Sequence, residues 1–147
     1  MTTPAGGGLR RRAREMALQL LFQSEFAMNG ADYDSAQAKE MLRRFREDFD
    51  IGSEVADFGG ELFIGVAERI KEIDAIIQAH SAHWKTSRMG LVDLSVMRIS
   101  IFEMKFLGPA TPPSVAINEA VEIAKTYGST ESGSFVNGIL DHVARGL

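Results

Sequence analysis

Between residues 9 and 28, apolar side chains occupy two opposite faces of the helix that their spacing predicts. Ala13, Met16, Ala17, Leu20 and Leu21 keep the i, i+3, i+4 rhythm of one stripe. At roughly 100° per residue, Leu18, Phe22 and Phe26 fall on the other side. A helix apolar on both sides needs cover on both. Either it is sandwiched between two layers of its own chain, or it keeps one face for a partner.

The rest of the chain repeats the helical period, with no run of strand-like alternation and only four prolines. A second helix over 34–49 turns Ala38, Met41, Leu42, Phe45 and Phe49 inward. Its outer side interleaves Arg43, Arg44 and Arg46 with Glu40, Glu47 and Asp48, the pattern of a solvated, self-paired face. A third, long helix over 54–79 is capped by Ser53. It carries the seam Phe63, Val66, Ile70, Ile73 and Ile77, with Gly59, Gly60 and Gly65 allowing close approach. A short helical turn spans 81–88. A fifth helix over 93–107, capped by Asp93, buries Leu94, Met97, Ile101 and Met104. Thr111-Pro112-Pro113 opens a sixth, which buries Ala116, Ala120, Val121, Ala124 and Tyr127 and stops at Gly128. The last, over 131–144, buries Phe135, Val136, Ile139, Leu140 and Val143. The fold class is all-α with about seven helices. Residues 1–8 read as a flexible tail and 9–147 as one all-helical domain.

Composition narrows the function. With no cysteine among 147 residues, the chain has neither disulfides nor thiolate metal sites of its own. No apolar run approaches the roughly 18 residues of a membrane helix, and the glycine-rich start lacks a signal-peptide core. A cytoplasmic protein without membrane contact is expected. A net charge of −4 argues against wrapping duplex DNA. Against that acidity, Arg10, Arg11, Arg12 and Arg14 crowd the start of the first helix. Guanidinium pairs with phosphate through two parallel hydrogen bonds, so the run reads either as an RNA contact or as a solvated helix start.

Chemistry has few other candidates. His80 and His83 are three residues apart, with His142 distant, and no thiol or carboxylate cluster joins them to make a metal site. Asp93 with Glu103, or Glu119 with Glu122, lacks a nucleophile, so no catalytic residue, metal or cofactor is expected. Ser129-Thr130-Glu131-Ser132 is helix-start chemistry. Arg98, amid Val96-Met97-Arg98-Ile99, packs its stem on the core and pairs its head. Trp84 is read as a core or rim residue, or as a stacking platform for a base.

Three segments then carry a resemblance. They are Arg10-Arg11-Arg12-Ala13-Arg14-Glu15, the run from Ala116-Ile117-Asn118-Glu119 to Lys125, and Phe135-Val136-Asn137-Gly138-Ile139-Leu140-Asp141. In this order they resemble the NusB family of bacterial transcription antitermination factors, strongly over 9–28 and 91–144 and weakly over 29–90. The resemblance implies two packed three-helix bundles sharing the first helix at their junction. It implies a non-enzymatic factor that binds boxA RNA together with the ribosomal protein NusE. That complex joins other Nus factors on the transcription elongation complex and promotes ribosomal RNA transcription.

The resemblance also implies site residues. Arg10, Arg11, Arg12 and Arg14 match the RNA-binding motif, with Glu131 and Phe135 beside the RNA path. Leu18, Phe22, Phe26 and Asp93 face NusE. Relatives often carry lysine or arginine where this chain has Ser114 and Ser134. An alternative is a self-associating helical RNA-binding module related to the N-terminal domain of ribosomal RNA cytosine methyltransferases. A homodimer would then use the Leu18, Phe22 and Phe26 face.

Overall fold

A computed structural model describes residues 8–27, 34–82 and 84–147. Among these the backbone forms α1 (Leu9–Ala27), α2 (Ser35–Asp48), α3 (Ser53–Glu68), α4 (Ile70–His80), α5 (Leu91–Phe106), α6 (Pro113–Tyr127) and α7 (Ser132–Arg145). Two 3₁₀ turns, Thr86–Arg88 and Gly108–Ala110, complete the regular structure, and no strand occurs among the described residues. The expected tail up to Gly7, and the stop at Asn29-Gly30, lie outside the described residues. The chain divides into two compact units, Met1–Glu68 and Arg69–Leu147.

In the first unit α1 packs along α3, and α2 rests on both. The stripe of Ala13, Met16, Ala17, Leu20 and Leu21 is buried, as is Leu18 on the opposite side. Glycine sets the approach of α3 to α1. A Cβ added at Gly59 would stand 2.5 Å from the Met16 sulfur and 3.0 Å from the Ala13 carbonyl oxygen. At Gly60 it would meet Leu42 at 2.9 Å. Asp34 caps α2 by accepting the Ala36 N–H at 2.9 Å. Of the expected α2 stripe, Ala38 and Phe45 are buried, and Met41 and Leu42 are half-buried.

Phe49 departs from expectation, at 49% exposed. The helix has ended, and the extended backbone at Phe49 (φ −129°) takes it off the stripe, its ring 4.7 Å from that of Phe45. The outward face pairs as its charges predict. Arg43 bonds Glu40 and Glu47, Arg44 bonds Glu40, and Arg46 reaches Asp57 on α3.

The expected long helix over 54–79 is two helices. Arg69 interrupts it with φ −125° and ψ 21°. No glycine or proline marks the break, and the seam keeps its spacing across it, with Val66 and Ile70 both buried. At this break the Arg69 guanidinium lies 4.3 Å from the Phe106 ring centroid, a cation–π contact. Ser53 is not a cap but the first residue of α3. Gly52, at φ +87°, precedes it, and its carbonyl accepts the Ala56 N–H at 3.0 Å.

In the second unit α5 touches α4, α6 and α7. Ten consecutive residues, Leu94 to Glu103, are buried, Ser95, Arg98, Ser100 and Glu103 among them. The helix begins at Leu91 rather than at Asp93. The Gly90 carbonyl accepts the Leu94 N–H, and Asp93 sits third in the helix, where its charge complements the N-terminal dipole. Met104 and Val121 are half-buried, and Ile123 takes the core place expected of its neighbours on α6. Tyr127, the last residue of α6, passes the end of the stripe and is 50% exposed.

Gly128 caps α6 through its N–H to the Ala124 carbonyl at 2.8 Å, with φ −100°, not in the left-handed region. Glycine is needed there for room, because a Cβ would collide with Ser132 Oγ and with the Ala124 carbonyl. Phe135 also differs from expectation. It is half-buried rather than in the core, while Val136, Ile139, Leu140 and Val143 are buried as the spacing predicts.

Candidate functional site

Arginine, not acid, occupies the first turn of α1. The opening amides of any helix lack intrahelical acceptors and favour anions. Arg10 is exposed, Arg11 and Arg12 are half-buried, and Arg14 is 4% exposed. The four are therefore not equivalent. Arg10 Cζ stands 3.7 Å from the centroid of the Phe58 ring and Arg14 Cζ stands 5.7 Å from it. Stacking uses the face of a guanidinium and not its in-plane N–H edge. Phe58 fixes where that edge sits. Nothing in the sequence marks it, since it lies on α3, remote along the chain.

On α7, Glu131 occupies the N-cap position and is exposed, with no side-chain cap bond. The Ser132 hydroxyl accepts the Ser129 N–H at 2.9 Å, which confirms helix-start chemistry for this serine group. Ser134 is exposed, as is Ser114 in the first turn of α6. Phe135 meets Trp84 edge to face, with centroids 6.0 Å apart and planes at 84°. Trp84 is a rim residue, 55% exposed. Beside them His80 and His142 converge, Nδ1 to Nδ1 at 2.8 Å. These groups line an open cleft of about 470 Å³. The histidine pairing joins residues 62 apart and has no signature in the sequence. His83 lies outside the described residues, and no group of three or more metal-ligating side chains occurs among those described.

The other expected partner residues divide by exposure. Phe22 is 38% and Phe26 72% exposed, with ring centroids 5.8 Å apart, whereas Leu18 is buried at 6%. The second apolar face of α1 thus opens only in its C-terminal half. Asp93 is half-buried in the first turn of α5.

Arg98 behaves as its setting predicts. It is 4% exposed and binds Asp74 of α4 through Nε and Nη2, each at 2.8 Å. Glu122 pairs with Lys125 at 3.3 Å, which accounts for one of the weighed carboxylates as a surface ion pair. No helix of the described residues is long and apolar enough to cross a membrane.

Comparisons with known proteins bear on the family and the fold. A model of the NusB family matches residues 11–145. The transcription antitermination protein NusB of Bdellovibrio bacteriovorus is 45% identical over 136 residues, 92% of this chain and 95% of that protein. The solved NusB of T. maritima has a TM-score of 0.78 at 33% identity, over 99% of this chain and 93% of that one. A chain from a complex of antitermination factors NusB and NusE with double-stranded RNA has a TM-score of 0.74 at 24% identity, over 95% of this chain and 98% of that one. At that identity it bears on the fold alone.

Proposed function

Because the chain belongs to the NusB family, we propose that it is an RNA-binding transcription antitermination factor in which the arginines of α1 hold the RNA. The family is non-enzymatic, and this reading assigns no catalytic step. Its RNA is single-stranded boxA RNA, bound together with NusE and delivered to the elongation complex with other Nus factors. The observation that carries the proposal is the arginine cluster at the helix start, with Arg10 exposed and stacked on Phe58. Glu131 and Phe135 of α7 are assigned further RNA contacts. Phe22 and Phe26 dock NusE, Leu18 lies buried on the same face of α1, and Asp93 is assigned a further acidic contact. A homodimer is the second reading, favoured by the 72% exposure of Phe26, and it would compete with NusE for that face.

Burial changes the expected salt dependence. Four phosphate contacts on single-stranded RNA would give a log–log slope of about −3. With Arg14 buried, three arginines reach the RNA and the slope falls to about −2. A filter-binding titration at several salt concentrations measures it. Arg10→Ala, Arg11→Ala and Arg12→Ala combined should remove most binding and flatten the slope while circular dichroism stays helical. Unchanged affinity in that triple variant rejects the arginine site. Sedimentation with and without NusE separates the partner readings, because a dimer that persists once NusE has bound excludes a shared face.

A further inference from the structure

Sequence spacing sets His80 beside His83, but the fold sets it beside His142. His80 is the last residue of α4, and His142 lies in the last turn of α7. Two helix ends therefore meet with an imidazole on each. The carbonyls that close a helix lack intrahelical donors and form its negative pole, which favours a cation. His142 is exposed and His80 half-buried, and both line the open cleft, so an ion can enter from solvent. Among the described residues lining that cleft none is lysine or arginine, and nearby Arg145 is paired with Asp141 at 2.7 Å.

The separation of the rings selects the kind of ion. Their Nδ1 atoms stand 2.8 Å apart, with the rings edge to face and their planes at 69°. An imidazole nitrogen binds a divalent transition metal at about 2.0–2.1 Å. An ion equidistant from nitrogens 2.8 Å apart makes an angle of about 85° with them. That is close to the right angle between neighbouring positions of an octahedron or a square plane. A tetrahedral ion needs its nitrogens about 3.3 Å apart. Imidazoles at a right angle suit nickel(II) and copper(II).

Proton positions allow such an ion. With both rings neutral, the hydrogen bond leaves the donor ring protonated on Nδ1 and the acceptor ring on Nε2. Moving the donor's proton to its own Nε2 frees both Nδ1 lone pairs, and the pair loses no proton overall.

We propose that His80 and His142 form a two-nitrogen chelate for a divalent ion of the nickel and copper class, with water in the remaining positions. Two protein ligands and an open cleft make it an exchangeable site, unlike the closed four-ligand sites that hold structural zinc. The bound ion ties the end of α4 to the end of α7 within the second unit. The chelate stands apart from the RNA reading, because it uses neither the arginines of α1 nor Phe135.

The untagged full chain is titrated with nickel chloride in the absence of RNA. Binding is read by calorimetry and by the emission of Trp84, the only tryptophan, which lines the same cleft. One ion per chain is expected, with emission quenched in step with the heat. Magnesium chloride, whose ion prefers oxygen ligands, should give neither signal. His80→Ala and His142→Ala should each lose the one-to-one binding, with circular dichroism unchanged. Nickel at about 100 times its dissociation constant should lower the wild-type unfolding constant in urea by up to about 100-fold, and should leave both variants unmoved. In wild-type NMR spectra, paramagnetic nickel should broaden the ring signals of His80 and His142 first. Broadening of His83 ahead of them overturns the chelate, as does one-to-one binding that survives either substitution. Absence of nickel binding, or several ions bound with Trp84 emission unchanged, overturns it equally.

Discussion

α2 and α5 both carry arginine in mid-helix, and the two helices hold it in opposite ways. On α2, Arg43 and Arg44 are 54% and 71% exposed and share Glu40 within the same helix. On α5, Arg98 is 4% exposed and binds Asp74 of another helix through Nε and Nη2. Only two residues of α2 are buried, Ala38 and Phe45, against ten in succession on α5. The same side chain is therefore a solvated local pair in one place and a desolvated tertiary contact in the other. Charge in water adds little, because screening and side-chain entropy offset the attraction. Charge out of water is costly to leave unpaired.

The largest test of that contrast is Asp74→Ala. Removing the carboxylate while the guanidinium stays buried should destabilise the protein by about 4 kcal/mol in urea titration. The double variant Asp74→Ala with Arg98→Met removes both charges and should recover most of that loss. If the single and double variants lose the same amount, the buried charge is not the cause. Next in size is Phe45→Ala on α2, with an expected cost of about 3 kcal/mol. That result would show that α2 is anchored by its one large buried ring and not by its arginines. Thermal melts of Phe45→Ala and Arg43→Ala, compared at pH 7, decide between them, with little change expected for Arg43→Ala.

The smallest effect is electrostatic. Hydrogen bonding from Arg43, opposed by some desolvation and helped by Arg44, holds the Glu40 carboxyl down to about 2. A depressed carboxyl contributes its stability above the ordinary carboxylate range and loses it as pH falls toward about 2. Carboxyl NMR should find that low midpoint in the wild type and a rise toward the ordinary range in Arg43→Ala. High salt should move it the same way. An unshifted wild-type midpoint would show that the pair does not form in solution.

Much of this was legible in the sequence, for reasons that differ along the chain. Most of the helices, the inward stripe of α1 and the greater part of the α7 stripe follow directly from apolar spacing, whereas α6 buries Ile123 and leaves Tyr127 exposed. The charged face of α2 could be read because its partners lie one turn away. The break at Arg69 could not, because the apolar seam runs through it in phase and the stacking partner, Phe106, is far along the chain. The caps at Gly52 and Gly90 were hidden behind better-known capping residues, Ser53 and Asp93. Within the candidate site, the arginine run was visible at once, but not the burial of Arg14 or the ring of Phe58 beneath Arg10. The histidines were visible singly. Their meeting depends on how α4 and α7 pack, which no local pattern encodes.

The contact of α3 with α1 at Gly59 has a consequence for how the protein can change. Every codon for glycine begins with the same two bases, and any single-base change that alters the residue introduces a side chain with a Cβ. At this position that atom meets the Met16 sulfur and the Ala13 carbonyl. Drift at codon 16 can shorten or redirect the methionine and so relieve the first clash. No codon change at 13 moves a main-chain oxygen. A replacement at position 59 therefore needs the helix backbones themselves to give, whereas at Gly60 the atoms in the way are the ends of the Leu42 side chain.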